Sequence, residues 1–292
     1  MYRNRRSRLV GLAYLAPALI FVLVFTVYPL GQMVWMSFHN WSLITPPVWV
    51  GLSNYRRMLG DDQFWTSFVF TLKYTALITP PLIVGGYLLA LLTATNTPLR
   101  RVTRTVVFIP VVIGLGVSSL LWYWLFSADF GLVNRALLDI GLIDEPILWL
   151  GVDADTSNFA ISASVVWKVI GFGMILFIGA IQAIPSEITE ASLVDGASYR
   201  QRVTRVVLPL TMRTVLLVTL VSVIGSLLAF DQFYIMTAGQ PQNETATSTF
   251  YVYLNSFPYL KLGYGAALSM VLAVTILAFT VVQLLLTRRS HA

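Results

Sequence analysis

The polar segment from Glu190 to Pro209 carries the side chains best suited to hold a second molecule. Its sequence, EASLVDGASYRQRVTRVVLP, is charged in a chain that is otherwise largely apolar, and charges are costly inside a bilayer. The hydroxyl of Ser186 is predicted to cap a helix that continues to Val194, by accepting a bond from a free amide. Asp195-Gly196 is predicted to end that helix in a turn, because glycine tolerates the left-handed backbone found at helix ends.

A second helix is expected directly after this turn. Ser198 and Gln201 have the spacing of a capping box, in which each side chain bonds the other residue's backbone N–H. Pro209 is predicted to end the helix, since proline has no N–H to continue the bonding pattern. The segment 186–209 is therefore predicted to be a helix–turn–helix on a membrane surface that docks a soluble partner.

The composition predicts that these helices belong to a membrane protein. Of the 292 residues, 57% are hydrophobic and 11% are charged, whereas soluble domains carry about 25% charged residues. A helix of about 20 apolar residues crosses a bilayer and satisfies its own backbone polar groups. The chain is predicted to be an all-α membrane protein, one domain over 1–292, with six spans at approximately 9–35, 68–92, 105–126, 159–181, 214–234 and 265–286.

Basic residues are predicted to gather on one face of the membrane. That face receives most of the nineteen Lys and Arg residues, and loops rich in positive charge stay in the cytoplasm. Its basic residues are Arg3, Arg5, Arg6, Arg8, Arg100, Arg101, Arg104, Arg200, Arg202, Arg205, Arg213, Arg288 and Arg289. Both termini and residues 186–209 are therefore predicted to be cytoplasmic. The positive charge indicates topology rather than a nucleic-acid site.

The sequence lacks the common motifs of nucleotide binding and hydrolysis. It contains no G-x-x-x-x-G-K-[ST], no H-E-x-x-H and no G-x-S-x-G, the patterns of phosphate loops, zinc hydrolases and serine hydrolases. There is no cysteine, and His39 and His291 lie far apart in the sequence. We expect no catalytic residues, no metal site and no cofactor in this chain, so that any ATP must be bound by another polypeptide.

The segment 186–209 resembles a known signature. Glu190-Ala191-Ser192, then Asp195-Gly196-Ala197, then Leu208-Pro209 is similar to the "EAA" motif of binding-protein-dependent ABC importer permeases. Tyr28-Pro29, Phe108-Ile109-Pro110 and Asp231–Thr237 followed by Gly239-Gln240-Pro241 extend the resemblance, which is closest to the maltose and glycerol-3-phosphate type of first permease subunit. Val203, Arg213 and Gln240 depart from residues common in that family.

This resemblance implies an ABC importer type I permease fold in a bacterial or archaeal inner membrane. Residues 186–209, hereafter the coupling segment, would sit in a groove of the ATP-hydrolysing subunit through Glu190, Ala191, Asp195, Gly196, Ala197 and Pro209. The implied partners are a homologous second permease, two ATPase subunits that bind ATP and Mg, and an extracytoplasmic solute-binding protein or lipoprotein. The implied solute is a sugar or a glycerol-phosphate-like compound.

Candidate solute contacts lie within the predicted spans. Lys168 and Asp231 are ionisable residues in or near spans four and five. A charged side chain inside a bilayer costs free energy, so such residues are first interpreted as functional. The two side chains could form an ion pair with each other or contact the solute. Sugars present hydroxyl groups and apolar C–H faces, so aromatic side chains are the second class of contact. The aromatic candidates are Trp122, Trp167, Phe172, Phe230 and Tyr234.

Two other kinds of protein fit parts of this pattern. A secondary transporter driven by an ion gradient would carry paired broken helices and a carboxylate near mid-membrane. A membrane scaffold that transports nothing would need only the spans and a docking segment. The sequence does not name the solute or show whether one subunit holds it alone.

Overall fold

The computed structural model describes residues 5–42 and 44–289, with side chains for 14–42 and 44–285; Arg3 of the basic tail lies outside these ranges. The described chain is mostly helical. Its helices are α1 (Arg5–Val22), α2 (Tyr28–Ser37), α3 (Ser53–Leu59), α4 (Asp62–Pro80), α5 (Gly86–Thr93), α6 (Pro98–Val112), α7 (Leu115–Leu125), α8 (Leu132–Asp139), α9 (Ala154–Gln182), α10 (Ser186–Val194), α11 (Tyr199–Arg202), α12 (Leu208–Leu227), α13 (Asp231–Met236), α14 (Ser248–Ser256) and α15 (Leu262–Arg289).

One short β-hairpin departs from the all-α prediction. Strands β1 (His39–Asn40) and β2 (Val48–Trp49) pair antiparallel, with His39 opposite Trp49. The side-chain amide of Asn54 donates to the carbonyls of Ser37 and His39, at 2.9 Å each. These bonds join α3 to the hairpin, and they satisfy backbone groups that a helix would otherwise have paired.

Five helical segments of the described chain are long and apolar enough to cross a membrane. They are Tyr14–Ser37, Asp62–Thr93, Ala154–Gln182, Tyr199–Leu227 and Leu262–Leu285. A sixth candidate is the pair α6 and α7, which is bent by 101° at a short break. The number of spans is thus five, or six if the bent pair crosses as one. The orientation of the termini stays a prediction.

The predicted third span is not a single helix. Helix α6 ends at Val112, Ile113 adopts an extended backbone with ψ of 133°, and α7 begins only at Leu115. Pro110 lies in the last turn of α6 and cannot donate the backbone bond that would hold that turn. Gly114 lies in the break between α6 and α7. The helical backbone hydrogen bonding is therefore interrupted where the chain bends.

The predicted fifth span has different limits. Its helix begins at Tyr199 rather than Thr214 and ends at Leu227, while Phe230 lies in the break before α13. Pro209 does not end the second helix of the coupling segment, as the sequence had suggested. A π-helical turn over Val203–Val207 leads into α12, and the N–H of Leu208 bonds to the carbonyl of Val203. The wider turn accommodates the proline, and the helix continues.

π turns also lie beside other prolines of the long helices. A π turn over Leu23–Val27 precedes Tyr28-Pro29, and another, Pro81–Gly85, follows Pro80. Proline clashes with the carbonyl four residues earlier, and the π turn over Leu23–Val27 includes that residue for Pro29, so that the wider turn relieves the clash there. The prolines therefore modify these helices without ending them.

The described residues form two compact units, and the single domain over 1–292 stays a prediction. One unit falls within Met1–Asp61 and Val252–Val274, and the other within Asp62–Tyr251 and Thr275–Ala292. In the second unit, Met174 and Phe177 of α9 are fully buried against Tyr87 and Ala90 of α5 and Val218 of α12. Helix α9 is thus the packing centre on which α5, α6 and α12 are positioned.

Candidate functional site

The turn of the coupling segment has the geometry that the sequence predicts for Gly196. Its φ is +72°, in the left-handed region that glycine adopts without strain. The N–H of Gly196 bonds to the carbonyl of Leu193, and the N–H of Ala197 bonds to that of Ser192, each at 3.0 Å. Together these two bonds form a Schellman motif, which ends α10 at a fixed residue.

The capping box is present, but the Ser186 cap is not. Ser198 accepts a bond from the N–H of Gln201, whose side chain accepts one from the N–H of Ser198. At the start of α10 the N-cap position belongs to Pro185, with no side-chain cap bond, and Ser186 is the first helical residue. The prediction that Ser186 is the N-cap residue was therefore wrong by one position, and α10 begins without a side-chain hydroxyl cap.

The surface of the coupling segment combines apolar and charged side chains. No residue of α10 is buried. Leu193, Val194 and Tyr199 are 53%, 89% and 61% exposed. Glu190 and Asp195 are exposed as well, while Ala197 is half-buried. Among polar neighbours, an exposed cluster of large apolar side chains is the mark of a protein–protein contact rather than of a solvated loop.

A cavity of about 250 Å³ lies among α4, α7, α9, α12 and α13, with contributions from the loop before α13. We call it the central cavity. Three of the predicted solute residues, Phe172, Phe230 and Asp231, line it. Its other lining residues are Tyr74, Ile78, Leu82, Leu115, Val165, Val169, Val221, Ser222, Gly225, Ser226, Leu228, Ala229 and Gln232.

The polar groups of the central cavity are held by hydrogen bonds across helices. The amide of buried Gln232 donates to the hydroxyl of Tyr74 at 3.2 Å. The hydroxyl of Ser226 lies 3.0 Å from that of Thr75 and 2.9 Å from the carbonyl of Val223. A mostly apolar wall with a few fixed polar groups is the usual composition of a small-molecule site.

Lys168 is buried but does not pair with Asp231, contrary to one of the sequence interpretations. Its Nζ lies 3.4 Å from the carbonyl of Val111 in the last turn of α6, and no ion pair within 4.0 Å joins it to the carboxylate among the described residues. A cation at a helix C-terminus is stabilised by the free carbonyls there. Gly171, one turn further along α9, permits the close approach to α6. Lys168 therefore supports the break in the third span.

The remaining aromatic candidates lie outside the central cavity wall. The indole rings of Trp122 and Trp167 meet edge to face, with centroids 5.6 Å apart. Trp167 lines a separate apolar groove formed by α4 and α9. Tyr234 stacks on Phe230, with 5.3 Å between centroids. Tyr234 thus supports a cavity residue, while the two tryptophans pack against each other.

Known proteins of similar sequence identify the family to which this chain belongs. The sequence profile of the family described as "Binding-protein-dependent transport system inner membrane component" matches residues 82–291. The chain belongs to this family. Its members are non-catalytic permease subunits of ABC transporters, in which a partner ATPase hydrolyses ATP. The expectation that the chain is not itself an enzyme is confirmed at the level of the family.

Curated relatives cover nearly the whole permease. It is 32% identical to the sulfoquinovosyl glycerol transport system permease protein SmoG of Agrobacterium fabrum, over 97% of this chain and 91% of that protein. It is also 32% identical to the trehalose/maltose transport system permease protein MalF of Thermococcus litoralis, over 96% and 94%. Those relatives are permeases of sugar ABC transport systems.

The fold of the permease matches that of a solved transporter. A chain in the crystal structure of a bacterial ABC transporter involved in the import of the acidic polysaccharide alginate superposes with a TM-score of 0.84 and 25% identity, over 98% of this chain and 96% of that one. A second structure, of the alginate transporter in complex with an alginate pentasaccharide-bound periplasmic protein, has a TM-score of 0.86 at 24% identity. The permease fold is therefore shared over essentially the whole chain.

Sequence reasoning missed part of the permease's cavity. Tyr74, Gln232 and Ser226 were not among the predicted solute contacts. One signal was available for Tyr74: together with Thr71, Lys73 and Thr75 it forms a polar cluster within a predicted span. Gln232 directly follows the predicted Asp231, yet its burial depends on α13 turning back after Leu227, which no local pattern indicates.

Proposed function

We propose that the permease is the membrane-spanning subunit of an ATP-driven importer that translocates a sugar or glycerol-phosphate-like solute. The solute would be delivered by an extracytoplasmic binding protein or lipoprotein. The observation that carries this proposal is the coupling segment, a rigid helix–turn–helix with exposed apolar side chains, on a chain of the binding-protein-dependent family.

The continuity of the helices gives this proposal a mechanical basis. Helix α11 passes through the π turn into α12, and Val221, Ser222 and Gly225 of α12 line the central cavity. Helix α9 precedes α10 and supplies Phe172 to the same wall. When docked ATPase subunits move the coupling segment, both helices that flank it carry that motion to the cavity wall. The expected result is alternating access between inward-open and outward-open states.

The proposal also assigns the partners. Two ATPase subunits would bind ATP and Mg. One of them would dock on the coupling segment, with Glu190 as the charge that faces it and Gly196 fixing the turn. Ala191, Asp195 and Ala197 would complete the contact. A homologous second permease would supply the rest of the translocation path. The long apolar helices would face the lipid of an inner membrane. The coupling segment would lie on the cytoplasmic side.

One feature predicted for a secondary transporter does occur here. The bent pair α6 and α7 is a broken span or a re-entrant loop, and Asp231 lines the cavity beside another helix break. The family match nevertheless favours the ATP-driven system, because it identifies the chain as a component that depends on a binding protein.

Two substitutions in the coupling segment test the proposal. Glu190→Ala removes the charge predicted to face the ATPase, and Gly196→Pro forbids the φ of +72°, since proline holds φ near −65°. In complexes reconstituted with the sister permease, the ATPase and the binding protein, each variant is expected to lower solute-stimulated ATP hydrolysis at least about tenfold, the equivalent of about 1.4 kcal/mol of docking energy.

The control is Asp139→Ala, which removes an exposed carboxylate at the end of α8, on the face predicted to be extracytoplasmic. It should leave ATP hydrolysis unchanged. Unchanged coupling in both test variants, at normal levels of assembled complex, would refute docking through this segment. Uptake that proceeds without any ATPase subunit would instead support a secondary transporter.

A further inference from the structure

We infer that the solute of this permease is an uncharged or amine-bearing saccharide, and that the site selects against carboxylate, sulfonate and phosphate groups. This inference rests on the proposed function and narrows it. It removes the glycerol-phosphate-like compounds from the solutes that the resemblance implies.

The first observation is the charge of the central cavity. Asp231 is the one ionisable acid or base among its described lining residues, apart from the phenol of Tyr74. The carboxylate of Asp231 is exposed and can accept hydrogen bonds from sugar hydroxyls or an ammonium group. A second anion beside it would be repelled.

The second observation is that the wall offers little to an anion. The Nε2 of Gln232 is engaged with Tyr74 at 3.2 Å. Lys168 is buried on α9, but it is not among the residues that line the cavity, and its Nζ lies 3.4 Å from the carbonyl oxygen of Val111. Among the described lining residues there is no Lys, Arg or His, so an anionic group bound here would have no cationic side chain to compensate its lost hydration.

The third observation is a separate groove whose wall and that of the central cavity both include residues of α4. This acidic groove, of about 540 Å³, is lined by Asp153, Asp155 and Glu244, with Lys73 as its single basic residue. Hydrogen bonding from the backbone N–H of Thr156, at 2.7 Å, lowers the pKa of Asp153 below its ordinary value. That carboxylate is therefore ionised at neutral pH, and the groove is net negative.

Three packed aromatic side chains lie between the groove and the cavity. Phe70 lines the acidic groove, and Tyr74, one helical turn later, lines the central cavity. Both rings meet Phe233 edge to face, with centroids 5.4 and 4.9 Å away. A negative groove beside the cavity lowers the local concentration of anions and raises that of cations. The two regions thus discriminate in the same direction.

The test offers the complete reconstituted importer a mixture and identifies what accumulates. Proteoliposomes containing both permeases, the ATPase and the binding protein receive equal amounts of neutral, amine-bearing, uronate, sulfonated and phosphorylated mono- to trisaccharides. Mass spectrometry of the lumen then identifies the ATP-dependent species. The inference predicts that these carry no acidic group. ATP-dependent accumulation of a uronate, sulfonate or phosphate sugar would overturn the inference and leave the proposed function standing.

Glycerol phosphate is added to the same mixture; if neither it nor any saccharide accumulates, the proposed function fails, and the inference fails with it. A second measurement assigns the selectivity to Asp231. Binding of the accumulated saccharide and of its uronate analogue to the purified complex, without binding protein, is compared by saturation-transfer NMR. We expect the uronate to bind at least about tenfold more weakly, and Asp231→Asn to reduce that ratio at least about threefold. Asp139→Asn should not change it; equal binding by the wild type would overturn the inference.

Discussion

Alanine at position 171 is expected to prevent α9 from packing against α6. A β-carbon added to Gly171 would lie 2.4 Å from the carbonyl oxygen of Val107 and 3.1 Å from the Cα of Phe108. Both are backbone atoms, so the two helices must separate. Overpacking of this kind costs about 1–3 kcal/mol or more. The separation would also lengthen the contact of Lys168 with Val111, which is 3.4 Å in the native fold.

Thermal unfolding of the purified permease complex, followed by fluorescence-detected size exclusion, measures this effect. Gly171→Ala should lower the midpoint by roughly 5 °C, given about 2 °C per kcal/mol for a chain of this size. Gly179→Ala is the matched control, because it lies on the same helix with nothing within 4 Å of the added carbon. If both variants unfold at the same temperature as the wild type, the close approach of α9 to α6 is wrong.

Aspartate at position 194 is expected to abolish ATP-driven uptake while the permease stays folded. The side chain of Val194 is 89% exposed, so its apolar character adds little to the folding stability of this chain. If an ATPase groove covers it, Val194→Asp buries an uncompensated carboxylate, which costs several kcal/mol. We expect uptake into proteoliposomes to fall at least about thirtyfold, which corresponds to about 2 kcal/mol.

Two controls separate docking from folding. Val194→Thr keeps the shape of the side chain and should retain most of the uptake. Ile140→Asp introduces the same charge at an apolar side chain that is 67% exposed, on the face predicted to be extracytoplasmic and away from the ATPase. Uptake lost equally in Val194→Asp and Ile140→Asp would mean that the added charge acts without any ATPase contact.

Local patterns predicted the coupling segment well, because its geometry is local. Gly196 and the pair Ser198 and Gln201 act within a few residues of themselves, and the structure has the predicted turn and capping box. The prediction that Pro209 ends the second helix was wrong because it considered only the local effect of proline. Proline usually ends a helix, but the π turn at Val203–Val207 depends on hydrogen bonding that continues into a span, and the proline pattern alone does not reveal it.

The cavity was predicted only in part. Phe172, Phe230 and Asp231 could be selected from residue type and depth. Lys168 could not be placed, since its partner is a carbonyl freed by the break after Val112. The breaks at 113–114 and 228–230 redirect short helices, and that redirection decides which side chains meet. Such choices depend on tertiary packing rather than on local sequence.

Site-specific cross-linking from residue 194 tests the docking claim most directly. The chain has no cysteine, so Val194→Cys creates a unique attachment point for a thiol-reactive photo-cross-linker. In the reconstituted complex, we predict a covalent product that contains the ATPase subunit, and no such product from Ile140→Cys. If residue 194 is labelled but cross-links only to lipid or solvent, or if both positions capture the ATPase equally, the coupling segment is not the docking site.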